Sequence, residues 1–200
     1  MTQWLDPPEG GRERGPVGLL RAWLSVMVRP RRFFREGVVP GDQAPGLTFA
    51  IAVVAVAQSS RFAFGLDEPL VFLGFELVSV FLWVCIVALV LAPLALHLVS
   101  ALQTVLLMPL ASDRGGVSET VQVIGYATAP CVFAGVPIVG VQVAAACYGA
   151  VLMIVGLATV HGISYERATI LGGLPALLVF GYGFRTADAF LTLLRQYYII

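Results

Sequence analysis

The chain has 200 residues, of which 58% are hydrophobic, and its twelve basic residues are balanced by twelve acidic ones. A balanced charge gives no support for a nucleic-acid partner, and this length suits one compact domain. Between residues 46 and 184 the apolar runs are continuous and lack the alternation of barrel strands. The sequence therefore predicts an all-α fold, a polytopic helical bundle in the lipid bilayer.

The chain begins with a segment rich in proline, glycine and charge. Residues 1–16 contain too little apolar surface to order themselves, so we expect a flexible polar tail. Residues 17–28 then repeat large apolar side chains at helical spacing, namely Leu20, Trp23, Leu24 and Met27. This helix is amphipathic, but it is shorter than the ~20 residues that cross a bilayer.

Basic and aromatic residues follow this helix directly, and together they make residues 17–36 an amphipathic basic segment. The candidate contacts to the membrane surface or to a partner are Trp23, Arg29, Arg31, Arg32, Phe33, Phe34 and Arg35. A helix of this kind lies in the membrane interface, where each arginine near anionic lipid adds about 1 kcal/mol of attraction. The alternative is a segment packed against the inner end of the bundle, and the sequence leaves both interpretations open.

A transmembrane domain with about five crossings is predicted for residues 46–191. Four of the spans are predicted at about residues 47–65, 121–136, 141–160 and 168–184, and a short uncharged turn at residues 137–140 joins the second and third of these. The region between residues 70 and 112 is ambiguous, because its uncharged run from Leu77 would form a helix of about 54 Å, longer than the bilayer is thick. Either one long helix projects from the membrane, or Pro93 divides the run into two crossings.

The positions of the arginines indicate the orientation in the cell membrane. Seven of the twelve precede the first span, which places the N-terminus in the cytoplasm by the positive-inside rule. With five crossings the C-terminus lies outside. With six crossings the arginines divide in the same numbers and the C-terminus lies inside, so the side of the C-terminus stays open.

No pattern typical of an enzyme or a metal site occurs in the chain. His97 and His161 are the only histidines, and neither has further ligands at zinc spacing. A nucleophile elbow and a Walker loop are absent, and Ser164 is expected to cap the last span. We therefore predict no catalytic residue, no cofactor and no metal, and a protein that is not an enzyme.

One polar stripe interrupts the apolar spans. His97, Ser100 and Thr104 recur at intervals of three and four residues, so they share one face of a helix. Polar side chains do not favour contact with lipid, and this face is expected to point at protein or at water. These three residues are the polar intramembrane candidates.

Short motifs in the second half of the chain resemble a known family. The matching residues are Gly125, Tyr126, Pro130, Gly156, His161, Gly162 and Arg167. The first three fit the GYxxxP motif of the Yip domain family, and the others resemble a stretch of its prokaryotic members. The resemblance implies a five-pass membrane protein with a cytosolic N-terminus. Eukaryotic relatives are implicated in vesicle traffic and bind small GTPases, but their DLYGP motif before the first span is missing here, which puts those partners in doubt.

These features together predict a non-enzymatic membrane scaffold or adaptor. Its cytoplasmic N-terminal segment would contact lipid or a partner, and its helices would associate with another membrane protein or with a second copy. The alternative is a small oligomeric permease, whose polar path between helices would be lined by His97, Ser100, Thr104, Tyr126 and His161.

Overall fold

The computed structural model describes residues 15–68, 74–109 and 115–198. Within these ranges the fold is entirely helical, which confirms the all-α prediction. The α-helices are α1 (Pro16–Val28), α2 (Pro30–Gly37), α3 (Ala44–Ala63), α4 (Glu76–Ile86), α5 (Ala92–Leu107), α6 (Val117–Ala127), α7 (Val139–His161), α8 (Tyr165–Ala176) and α9 (Thr186–Gln196). The other helical segments are π-helices at Val87–Leu91 and Leu177–Gly183 and a 3-10 helix at Ala129–Phe133. The predicted flexible tail lies outside the described residues, apart from its last two positions.

Three helical runs in the described residues are long and apolar enough to cross a membrane. They are α3 with 20 residues, the continuous run Glu76–Leu107 with 32, and α7 with 23. A fourth crossing is reached if Tyr165–Gly183 and α9 form one span, although the two are bent by 82°. The helical membrane bundle is therefore confirmed, and length and composition support three or four spans where the sequence predicted about five.

The prediction of a single span at residues 121–136 is wrong, because this stretch is interrupted. Helix α6 is 11 residues long, and the 3-10 helix follows it. Pro130 disfavours the α conformation of the residue before it, and the Thr128 hydroxyl donates to the Gly125 carbonyl at 2.7 Å. Residues 120–131 are nevertheless all buried. The irregular backbone thus lies inside protein, as irregular backbone within a membrane must.

The ambiguous region between residues 70 and 112 contains one continuous helical run. Pro93 does not divide it, because the π-helix Val87–Leu91 comes just before the proline and α5 continues from there. Proline has no N–H to donate to the preceding turn, and a π turn accommodates this missing hydrogen bond without ending the helix. Only 11% of the apolar window in this run is buried, so the run lies at the periphery of the bundle. Residues 70–73 and 110–112 lie outside the described part of the chain.

Close backbone contacts hold α3 against the central segment, a name we use for α6 and its 3-10 helix. A methyl group added at Gly125 would lie 2.5 Å from the carbonyl oxygen of Gly46, near the start of α3. Just after the central segment, a methyl group added at Gly135 would lie 2.6 Å from the carbonyl oxygen of Ala57, in the second half of α3. Small residues allow helices to approach this closely. Because the contacts occur near both ends of α3, the two elements run side by side.

Replacing Gly125 by alanine should destabilise the bundle by about 1–3 kcal/mol, because the new methyl group would overlap a backbone oxygen. The matched control is Gly173→Ala in α8, where an added methyl group meets nothing within 4 Å. Thermal unfolding in detergent micelles would measure both changes. We expect a lower midpoint for Gly125→Ala and an unchanged or higher midpoint for Gly173→Ala. Equal midpoints would contradict the close contact between α3 and α6.

Candidate functional site

Four buried rings join α2, α3 and α6, and we call Phe33, Phe34, Phe49 and Tyr126 the aromatic cluster. Tyr126 is 1% exposed, and its ring meets Phe33 edge-on at 4.7 Å between centroids. Phe49 reaches the same ring from α3 at 5.3 Å, and Phe34 meets Phe33 at 5.9 Å. Each edge-on pair contributes about 0.5–1.5 kcal/mol beyond the burial of apolar area. The cluster therefore fixes α2 to the centre of the bundle.

Hydrogen bonds attach α1 to the same centre. Trp23 donates from its indole nitrogen to the carbonyl of Ala129 at 2.8 Å. Tyr148, on α7, donates its hydroxyl to the carbonyl of Met27. Both acceptors are backbone carbonyls, and the one at Ala129 belongs to the interrupted central segment. The N-terminal helices thus help to satisfy and enclose the backbone of that segment.

Gln122 attaches the chain that follows α2. Its side-chain amide accepts from the N–H of Val39 at 3.2 Å and donates to the carbonyl of the same residue at 2.7 Å. Gln122 is fully buried on α6, so its amide would be costly without these partners. The pair of hydrogen bonds therefore fixes the connection between α2 and α3 against the central segment.

The prediction that Phe33 and Phe34 contact the membrane surface is wrong. Both residues are 1% exposed, and their rings face other rings of the aromatic cluster. Helix α2 has only eight residues and one apolar face, and that face covers the core. Trp23 is half-buried and also turns its N–H inward. For these aromatic side chains, the alternative of packing against the bundle describes the structure.

The outer faces of α1 and α2 remain exposed. Helix α1 packs on the bundle through the smaller residues Gly18, Ala22 and Val26, which leaves its larger apolar side chains on the outside. We call the exposed set the N-terminal surface, which consists of Val17, Leu20, Leu24, Val28, Arg29, Arg31, Arg32 and Arg35. An apolar stripe that adjoins several guanidinium groups suits contact with an anionic lipid surface.

Among the described residues, Arg31 and Arg32 of this surface have intramolecular partners. Arg32 pairs with Glu36 at 2.9 Å, one helical turn further along α2. Arg31 lies over the ring of Tyr165, with 5.1 Å between its guanidinium carbon and the ring centroid. Exposed pairs of this kind contribute little to stability and leave most of the positive charge facing outward. The surface is therefore basic and held in a defined position.

A buried polar cluster forms where α5, α6 and α7 meet, and it consists of Thr104, Thr120 and His161. The hydroxyl oxygens of Thr104 and Thr120 lie 3.3 Å apart. The same oxygen of Thr120 lies 3.4 Å from Nε2 of His161. All three residues are at least 96% buried. The structure thus brings together two residues of the predicted polar path, Thr104 and His161.

Two other residues of that path lie elsewhere. His97 is half-buried, and its Nδ1 bonds to the carbonyl of Pro93 in its own helix at 2.7 Å. Tyr126 belongs to the aromatic cluster. Sequence reasoning also missed Gln103, which is fully buried on the same face of α5 as Ser100. Its position three residues after Ser100 was an available signal, because it extends the polar stripe.

The remaining motif residues shape the backbone around these sites. A methyl group added at Gly156 would lie 3.0 Å from the ring of Phe34, so glycine gives that ring its room. Gly162 ends α7 with a φ of 63°, a left-handed conformation that favours glycine. The hydroxyl of Ser164 accepts from the N–H of Arg167 at 3.4 Å, which confirms the predicted cap. The Arg167 side chain itself is exposed.

A family model described as the Yip1 domain matches residues 24–184. The chain belongs to the Yip1 domain family. Searches of curated proteins and of solved structures returned no match. The matched residues include the aromatic cluster, the four arginines of the N-terminal surface and the central segment. Helix α9 lies beyond the Yip1 domain match.

An ion cluster lies around Asp67, which follows α3 in the chain. Asp67 accepts from Nε of Arg61 at 2.8 Å and from Nη2 of Arg61 at 2.9 Å, and also from Arg185. The hydrogen bonding to Arg61 holds the pKa of Asp67 below its ordinary value, although burial acts in the opposite direction. In the part of the chain that the structure describes, no group of three or more His, Cys, Asp or Glu residues could hold a metal ion.

Replacing Phe33 by alanine should cost about 3–5 kcal/mol at the aromatic cluster and loosen α2. The chain contains arginine but no lysine, so trypsin can cut this segment only at its arginines. We expect Phe33→Ala to accelerate tryptic cleavage after Arg31, Arg32 and Arg35 in micelles. The control is Phe64→Ala, since that ring is 56% exposed. If cleavage at the segment stayed as slow as in the unchanged protein, α2 would not depend on the cluster.

The lowered pKa of Asp67 predicts a dependence of stability on pH. Its contribution is full above the unfolded pKa, about 3.8, and is lost as the pH falls through the lower folded pKa. The thermal unfolding midpoint should therefore decrease when the pH is lowered below about 4. This decrease should be smaller in Asp67→Asn. Asp188→Asn is the control, because its carboxylate is 74% exposed and lies 3.8 Å from Arg185. The same acid-induced fall in Asp67→Asn and in the unchanged protein would exclude this role.

Proposed function

We propose that this Yip1 domain protein is a non-enzymatic membrane scaffold or adaptor that acts through its N-terminal surface. The observation that carries the proposal is the division of α2 into two faces. The inner face, Phe33 and Phe34, is anchored in the aromatic cluster, and the outer face presents exposed arginines. An anchored helix with exposed cations is suited to recruitment, because its charges are already positioned when a partner arrives.

The charge of the N-terminal surface supports contact with an anionic group. Its four arginines and the neighbouring Glu36 leave a formal excess of three positive charges (4 − 1). Each arginine near an anionic membrane contributes about 1 kcal/mol, so the set supplies a few kcal/mol of attraction. The apolar stripe of α1 would add burial in the same interface.

The proposed location is the cell membrane, with the N-terminus in the cytoplasm. Seven arginines precede α3, and cytoplasmic segments of membrane proteins carry an excess of such charges. An odd number of crossings would place the C-terminus outside. In this orientation the N-terminal surface would face the leaflet that carries most anionic lipid.

Association with a membrane-protein partner or a second copy is the other part of the proposal. The run Glu76–Leu107 is long, apolar and mostly unburied. Its exposed side chains include Leu77, Phe81, Leu89 and Leu98. A helix at the periphery with so much free apolar surface can pack against another transmembrane helix as well as against lipid.

The permease alternative has weaker support. A transport path needs polar groups that line one continuous route through the bundle. His97 bonds within its own helix, and Tyr126 is packed among aromatic rings. The path that the sequence suggested is therefore not continuous among the described residues, and the scaffold reading takes precedence.

The proposal is tested by changing Arg29, Arg31, Arg32 and Arg35 together to glutamine. The tagged protein would be extracted from its own membranes in mild detergent, and the proteins and lipids that co-purify in stoichiometric amount would be identified by mass spectrometry. We expect the glutamine variant to lose a protein partner or anionic lipid that the unchanged protein retains. The matched control carries lysine at the same four positions, which keeps the charge and should keep the bound component.

These side chains lie outside the core, so we expect the fold to survive in both variants. The thermal unfolding midpoint of each variant checks this. The same bound components in the glutamine variant and in the unchanged protein would contradict the proposal.

A further inference from the structure

Two fully buried polar side chains lie next to the buried polar cluster on α5. Ser100 and Gln103 are 0% exposed and sit one helical turn apart on the inward face of α5. The Ser100 hydroxyl oxygen and both polar atoms of the Gln103 amide have no hydrogen-bond partner among the described residues. About nine in ten buried polar groups in proteins are paired. Three unpaired atoms on one turn of helix therefore require an explanation.

The amide of Gln103 faces α7 and α8. A methyl group added at Gly172 would lie 4.0 Å from the amide oxygen of Gln103, 3.0 Å from Cδ1 of Leu157 and 3.9 Å from Cε of Met153. Glycine at position 172 thus lets α8 approach closely, and the side chains beside the amide, Leu157 and Met153, are apolar. A charged ligand would find no opposite charge among these neighbours, and its desolvation would be unfavourable.

The pair is continuous with the buried polar cluster. Thr104, a member of that cluster, directly follows Gln103 and donates to the Ser100 carbonyl at 2.7 Å. At the other end of the cluster, a methyl group added at Gly115 would lie 3.5 Å from Nδ1 of His161. Gly115 is half-exposed, at the end of the bundle where α6 begins. Polar groups therefore extend from this end of the bundle inward to Ser100 and Gln103.

We propose that Ser100 and Gln103 form a buried site for a small uncharged hydrogen-bonding ligand, which enters along the buried polar cluster. The amide offers two N–H donors and a carbonyl acceptor, and the hydroxyl can donate or accept. Water has this chemistry, and so does a small amide such as formamide. The site is separate from the N-terminal surface, so it stands or falls independently of the proposed adaptor role.

The first test compares the thermal unfolding of Ser100→Ala, Gln103→Leu and the double variant with that of the unchanged protein. In an occupied site these changes remove ligand contacts, and we expect a lower midpoint for each variant. In a dry site they remove unpaired polar groups, and the midpoint would rise. A higher midpoint for both single variants would overturn the proposal.

The second test does not depend on how these variants fold. In a background with Cys85, Cys131 and Cys147 replaced by alanine, Gln103→Cys and Leu107→Cys would be labelled with the small neutral reagent S-methyl methanethiosulfonate. Both positions are 0% exposed and share one face of α5, and Leu107 is nearer the helix end. We expect labelling at position 103 to be at least tenfold faster. Equal rates would overturn the proposal.

Formamide distinguishes the two sources of the ligand in the same assay. Ser100→Cys keeps the Gln103 amide, so formamide is tested on this variant. If formamide slows the labelling of Ser100→Cys and leaves Leu107→Cys unchanged, the site accepts a small amide. If formamide changes neither rate, the site belongs to water. Each result supports a hydrogen-bonding ligand and names its kind.

Discussion

The enclosure of an interrupted backbone is the constraint on which the rest of this structure depends. The central segment is too short to be a regular transmembrane helix, and its 3-10 turn cannot face lipid without unpaired backbone groups. Helix α3 lies against it through the contact of Gly46 with Gly125. The N-terminal helices complete the enclosure, and Trp23 takes up the Ala129 carbonyl. The segment before the first long span is therefore part of the fold.

This structural role determines what the N-terminal segment can do. Because the aromatic cluster holds the inner face of α2, the arginines on its outer face are presented from a fixed position. A flexible basic tail would lose conformational freedom on binding, whereas an anchored helix loses little. Helix α2, which carries arginines of the N-terminal surface, is thus connected to the family motif through the contact between the rings of Phe33 and Tyr126. Changes at the motif should therefore reach the surface through α2.

The helical membrane fold, the cap at Ser164 and the polar face of α5 could be predicted from sequence, because each depends on local spacing. Whether Phe33 and Phe34 contact lipid or the protein core could not be predicted from sequence. An amphipathic helix has the same pattern whether its apolar face meets lipid or protein, and only the tertiary partner, Tyr126, distinguishes them. The prediction of one span at residues 121–136 was wrong for a similar reason. Hydropathy indicates that a segment is buried, but it does not show that the helix is interrupted near Pro130. Partners across the bundle, such as Thr120 for Thr104, lie beyond any local pattern.

We propose that α1 and α2 are each anchored by one face and that α2 presents its arginines to the cytoplasm from the other. The most direct measurement compares Ala22→Cys with Arg35→Cys in a cysteine-free background, labelled by a membrane-impermeant maleimide in inside-out and right-side-out membrane vesicles. Ala22 is 0% exposed on the inner face of α1, and a cysteine there removes no ring from the aromatic cluster. We expect rapid labelling at position 35 in inside-out vesicles only, and protection at position 22 in both. Equal labelling at the two positions, or labelling of position 35 only from the outside, would contradict the proposal.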